Sequence, residues 1–247
     1  MTAPSPSPSP STPTVVLVHG AFADATSWSG VIAELRGQGV PVIAPPNPLR
    51  GLASDAAYIA SVAAQIDGPV ILVGHSYAGA LITVAGTQEN VTGLVYIAAY
   101  VLEEGESLGE LQGGFPATSL VSNLRQWTYP VPGAEPAVEV TLAADAFPTV
   151  FGADVPTETT EILALAQRPL AAAAFEEPAS AAAWKTKPSW ALVAAADQAI
   201  NPEVQRFAAK RAGATVVEAE GASHAVAVSR PKEVAALILQ AVRATAA

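Results

Sequence analysis

The hexapeptide GHSYAG, Gly74 to Gly79, holds the side chain best placed to do chemistry. Its Ser76 follows the apolar run PVILVGH and precedes YAGALITVAGT, a run rich in small residues that reads as a helix. A serine at such a strand-to-helix turn presents its hydroxyl as a nucleophile, and the turn is sharp enough that its flanks must be small. Gly74 meets that need two positions before the serine. Two positions after it, where glycine is usual, stands Ala78, with Gly79 next. The competing reading is that Ser76 only caps the helix starting at Tyr77, since serine is a favoured N-cap.

A hydroxyl becomes a nucleophile when a base takes its proton. Three histidines occur. His75 is adjacent to the serine and would point away from it, packing beside the turn. His19 follows the first apolar run and shapes its loop. His224, in EGASHAV just past the last such run, is the expected base. That base needs a carboxylate to hold its tautomer. Asp197 closes the run PSWALVAAAD ahead of the histidine, while Glu103 or Glu104, after an earlier run, are its competitors. Asp197 could also be a turn residue or helix cap. The expected constellation is Ser76, Asp197 and His224.

The surrounding pattern must bring these residues to one place. Continuous apolar runs at Thr14–Val18, Val40–Pro46, Pro69–Ser76, Val91–Val101, Pro188–Asp197 and Ala214–Gly221 read as strands buried on both faces. Helical patterns separate them, at Ser29 to Gly37, from a Ser54 cap to Ile66, after Pro202, and from Pro231 to Val242. The alternation predicts an α/β fold, a mostly parallel six-stranded sheet with helices on both faces and right-handed crossovers. Residues 14–101 and 188–247 would form that core. Residues 102–187 are too long for one crossover and predict an inserted helical cap over the carboxyl ends of the strands, with helices near Thr157–Gln167 and Ala171–Trp184.

Composition narrows the class. The 247 residues are 51% hydrophobic, enough for one sizeable core. Twenty-two acidic against twelve basic residues give a net charge of −10, which argues against nucleic acid and anionic membranes as partners. With no Cys, thiolate catalysis and disulfides are excluded, and the histidine spacing matches no zinc motif, so no metal or cofactor is expected. No uninterrupted apolar run is long enough for a membrane span. The Ser/Pro repeat of residues 1–13 reads as a disordered tail. It lacks the basic and apolar regions of a signal peptide, which predicts a cytoplasmic protein, with a mature secreted form as the alternative.

Together, VVLVHGAF, ILVGHSYAG, AAADQAINP and EGASHAV resemble the cap-bearing α/β-hydrolase superfamily, from about Thr14 to Val242. The compact layout is similar to the branch holding plant methyl-ester esterases and hydroxynitrile lyases, including a PEVQRFAAK-like segment after the acid. The order Ser76, Asp197, His224 is the α/β-hydrolase order. The resemblance places the oxyanion donors at the backbone N–H groups of Ala21 and Tyr77, with Phe22 lining the pocket. It implies acyl transfer on an ester, and the aromatic residues of the insertion point to a small, fairly apolar ester or lactone. Trp127, Tyr129, Phe147, Phe151, Phe175 and Trp184 are the pocket candidates of the insertion. Lyases of that branch carry Lys after the catalytic His and Thr after the first His; here Ala225 and Gly20 stand there, which favours hydrolysis. The rival readings are a cofactor-free lyase or perhydrolase on the same triad, or a small-molecule receptor retaining the pocket.

Overall fold

The computed structural model describes residues 12–246. The expected Ser/Pro tail therefore lies almost wholly outside the described residues. In chain order the core begins with β1 (Thr14–Val18), α1 (Ser29–Gly37), β2 (Val42–Ile43), α2 (Leu52–Ala64), β3 (Val70–His75), α3 (Ala78–Ala85) and β4 (Val91–Ile97). An insertion follows, with α4 (Leu108–Gly113), α5 (Ser119–Ser122), β5 (Leu124–Tyr129), β6 (Ala137–Leu142), α6 (Phe147–Val150), α7 (Thr157–Ala166) and β7 (Leu170–Ala171). The core resumes with β8 (Ser189–Ala194), α8 (Pro202–Arg211), β9 (Thr215–Ala219), α9 (Val226–Ser229) and α10 (Pro231–Thr245).

Six strands form one sheet in the order β2-β1-β3-β4-β8-β9, every neighbouring pair parallel. Successive strand side chains point to opposite faces, so an unbroken apolar strand feeds two cores at once. Val16, Val18, Leu72 and Tyr96 pack on one face with Ile59, Leu81 and Val204 of α2, α3 and α8. Val15, Leu17, Ile71 and Val73 pack on the other with Leu35 of α1 and Ile238 of α10. All four strand residues on that second face are fully buried.

Two core elements differ from the sequence pattern. The run Val40–Pro46 yields only the two-residue β2, because Pro41, Pro45 and Pro46 bring no N–H to a ladder. Helix α2 starts at Leu52 rather than behind a Ser54 cap. The buried Asp55 carboxylate accepts from the N–H groups of Arg50 and Gly51, at 3.0 and 3.3 Å, and ties down the entry to the helix from within its first turn.

The insertion contains the expected helix near Thr157 and adds a small antiparallel sheet, β5-β6-β7. AVEVTL alternates with period two and pairs with LRQWTY across a Pro/Gly-rich turn, which is hairpin chemistry. The span Ala171–Trp184 is not a helix. It holds β7 and two short 3-10 turns, at Ala172–Phe175 and Ala183–Lys185, with Pro178 between them. No helix of the described residues is long and apolar enough to cross a membrane.

Candidate active site

Five strand ends converge on one place. Gly20 to Phe22 follow β1, Ser76 follows β3, Tyr100 lies beyond β4, Asp197 beyond β8, and His224 beyond β9. Ser76 adopts φ 58, a left-handed conformation uncommon for any residue but glycine. Hydrogen bonds hold it there. Its N–H donates to the Ile97 carbonyl at 3.2 Å, and its own carbonyl accepts from Gly79 at 3.0 Å and Tyr100 at 3.3 Å.

Such a turn leaves no room for certain side chains. A Cβ on Gly74 would stand 2.5 Å from the Ala78 carbonyl oxygen, and one on Gly20 would stand 2.7 Å from the Ser76 Cβ. A Cβ on Gly79 would fall on the Tyr100 carbonyl oxygen. The close approach therefore falls on Gly79 rather than on position 78. Ala78 keeps its methyl group in the core, fully buried. Gly79→Val is expected to destabilise the fold by about 3 kcal/mol, at the upper end of overpacking costs, because backbone must move to admit it. A thermal unfolding scan against the wild type checks this; an unchanged midpoint would refute it.

Around Ser76 the polar groups form one chain. His224 Nε2 lies 2.8 Å from Ser76 Oγ, and His224 Nδ1 lies 2.6 Å from Asp197 Oδ2. Both partners of the serine are 1% exposed. Asp197 Oδ1 accepts the N–H groups of Ala199 at 2.7 Å and Ile200 at 3.0 Å, and Oδ2 also accepts Gln205 Nε2 at 2.8 Å. Glu103 instead pairs with Lys185, whose ammonium holds its carboxyl below the usual range. Glu104 is exposed.

The other two histidines are structural neighbours. His75 Nε2 donates to the His224 carbonyl at 2.9 Å, and burial pushes its pKa down to about 3, so it remains neutral. His19 Nε2 accepts the Asn47 N–H at 3.0 Å while its Nδ1 donates to the Gly20 carbonyl; burial lowers its pKa as well.

Tyr77 is pinned through its ring. Its hydroxyl donates to Asp55 Oδ2 at 3.0 Å, and burial beside that carboxylate raises the phenol pKa. The backbone N–H groups of Ala21 and Tyr77 take part in no backbone hydrogen bond among the described residues. Both residues line the cavity that Ser76 and His224 face. Phe22, at φ 60, turns the first loop and donates its N–H to the Arg168 carbonyl of the insertion at 3.0 Å.

That cavity is small, about 20 Å³, and is lined by Phe22, Tyr100, Leu108, Leu120, Leu170, Phe175, Ala199 and Ile200 beside the groups already named. Phe22 and Phe175 are among its lining residues. Trp127, Tyr129, Phe147, Phe151 and Trp184 do not line it. Trp127 is 60% exposed on β5, its Nε1 donating to Thr141. Tyr129 lies under the Arg50 guanidinium, 4.3 Å away. Phe147 stacks on Phe151, whose ring packs edge-on against His224 at 4.8 Å, and Trp184 Nε1 donates to the Leu102 carbonyl. Aliphatic side chains of α4, α5 and β7 take the places expected of those aromatics.

Two polar residues of the site escape sequence reasoning. Gln205 lies on the buried face of α8, its Oε1 accepting the Ala194 N–H while its Nε2 reaches Asp197. The signal for it is a carboxamide at a position where the helix pattern calls for an apolar residue. Asp55 shows the same signal, a carboxylate fully buried within an apolar helix face.

Fold and site together define a hydrolase architecture. Residues 15–237 match the model of the alpha/beta hydrolase family, and the chain belongs to that family. A protein of Phoma sp. (strain ATCC 20986 / MF5453) named "Probable hydrolase R7" is 29% identical over 209 residues, 78% of this chain and 81% of the relative. Among solved structures, polyneuridine aldehyde esterase superimposes with a TM-score of 0.79 at 21% identity, covering 94% of this chain and 99% of the other. A pyrethroid hydrolase from Sphingobium faniae JZ-2 gives 0.75 at 22% identity, covering 94% and 98% of the two chains. A methylesterase from Arabidopsis gives 0.75 at 18%, covering 94% and 99%.

Proposed function

We propose that the protein is a serine hydrolase that cleaves the carboxylic ester of a small, uncharged, apolar substrate through an acyl-enzyme on Ser76. The observation that carries this reading is the continuous chain Ser76 Oγ–His224 Nε2 at 2.8 Å and His224 Nδ1–Asp197 Oδ2 at 2.6 Å. His224 takes the hydroxyl proton as Ser76 Oγ attacks the carbonyl carbon. The negative charge on the former carbonyl oxygen is met by the N–H groups of Ala21 and Tyr77, each such donor lowering the barrier by about 3 kcal/mol. The intermediate collapses, the ester C–O bond breaks, and the imidazolium hands its proton to the departing alkoxide. Water then attacks the acyl-enzyme with His224 again as base, releasing the acid and restoring Ser76.

The insertion acts as the cap that selects substrate, and its contribution to the cavity is aliphatic and aromatic. The named esterases and hydrolases of similar fold agree with this reaction class. Ester cleavage is favoured over cyanohydrin cleavage because Ala225, not a lysine, follows the histidine. Incubation with a fluorophosphonate, followed by peptide mass mapping, tests the assignment. Stoichiometric labelling on Ser76 is expected. Absence of labelling, or labelling elsewhere, would overturn it.

A further inference from the structure

A second, larger depression adjoins the cavity. It is an open-sided groove of about 580 Å³ running along the insertion between α4, α5 and the segment after β7. Leu108, Leu120 and Phe175 line both spaces, so these three side chains form the threshold between them. Beyond the threshold the walls are Phe115, Val121, Leu124 and Val140. On the α4 side Leu108 and the carboxamide of Gln112 alternate with Gly109 and Gly113, two positions without side chains, and a Cβ on Gly113 would meet nothing within 4 Å. Glu176, at the rim, is the only charged residue among the described residues of the lining.

We infer that this groove is an extended substrate subsite, and that the preferred ester carries one long, uncharged, apolar arm that crosses the Leu108–Leu120–Phe175 threshold. The inference rests on the esterase reading proposed above. With its carbonyl at Ser76, an ester whose arm outgrows the inner cavity has a path past those side chains, and the groove continues that path. The apolar walls reward each methylene removed from water by up to about fourfold in affinity. Glu176 and the net charge of −10 oppose an arm ending in a carboxylate.

The test compares kcat/KM for p-nitrophenyl acetate and decanoate, and for ethyl and decyl acetate, in the wild type, Gly113→Phe and Val121→Glu. The first variant fills the groove from an open position, and the second sets a charge in its wall at a residue already 58% exposed. A long-to-short ratio of at least about tenfold is expected in one of the two series, which then tells whether the acyl or the alcohol arm lies there. Both variants are expected to cut that ratio at least fivefold. A flat profile in both series, or ratios that neither variant changes, would overturn the groove assignment while leaving the esterase reading standing. Failure to hydrolyse the short esters, or hydrolysis that survives Ser76→Ala, overturns the esterase reading and the subsite with it.

Discussion

Ser76→Ala is expected to lower kcat by about 10⁴-fold or more while the protein stays folded. The substitution removes one oxygen and keeps the Cβ, so the turn retains its bonds to Ile97, Gly79 and Tyr100. Hydrolysis left at more than a small fraction of the wild-type rate would remove Ser76 from the mechanism. Ser76→Gly makes a useful companion. At φ 58 a side chain costs roughly 1 kcal/mol that glycine does not incur. That variant is expected to be as inactive as the alanine one, yet to melt about 2 °C higher. A backbone held in strain to aim a hydroxyl predicts this pairing of lost activity with gained stability. A lower midpoint for the glycine variant would argue that the conformation stores no strain.

Asp197→Asn is expected to reduce kcat by about 10³- to 10⁴-fold, through the tautomer of His224 rather than through its position. All four hydrogen bonds at the carboxylate are accepted, two by each oxygen. An asparagine must turn an amide NH₂ toward one of those pairs. Facing His224, it donates to Nδ1 and forces the proton onto Nε2, which then cannot accept from Ser76. Facing Ala199 and Ile200, it opposes two N–H donors and leaves them buried without partners, at about 1–3 kcal/mol. Either orientation is harmful, so the variant is expected to lose stability as well as activity. Steady-state kinetics and a melting curve on the same sample check both. Activity within tenfold of wild type would exclude Asp197 as the orienting acid and reopen the choice of carboxylate.

The chain's patterning makes the sheet and the proposed triad legible for one reason. Buried parallel strands are continuous apolar runs, and the catalytic candidates are the polar residues that end them. β1 and β3 stand out because both faces are covered, leaving no polar alternation to blur the signal. The short β2 is harder to see, since its apolar residues continue through prolines that end the ladder. Gln205 and Asp55 are opaque for a different reason. Each works on a partner brought near only by the folded sheet, Asp197 in one case and the Tyr77 hydroxyl in the other. Trp127 and Tyr129 are placed away from the cavity by register. In the β5–β6 hairpin Trp127 pairs with Glu139, while Leu124 and Val140 face the groove; which face turns that way follows from pairing that composition does not reveal.

The ties between the insertion and the core bear on how this enzyme could be re-engineered. The Ala225 N–H donates to the Phe151 carbonyl at 2.8 Å, the Ser223 hydroxyl donates to the Asp154 carboxylate, and Phe22 is bonded to Arg168. Residues flanking His224 are thus anchored to the segment that shapes the pocket. The insertion is consequently a poor cassette. A graft that exchanges residues 102–187 for those of a relative would replace the anchors of the histidine loop along with the proposed substrate walls. Changes of specificity are better sought by point substitution along α4 and α5, whose exchange leaves Asp154 and the Phe151 carbonyl in place.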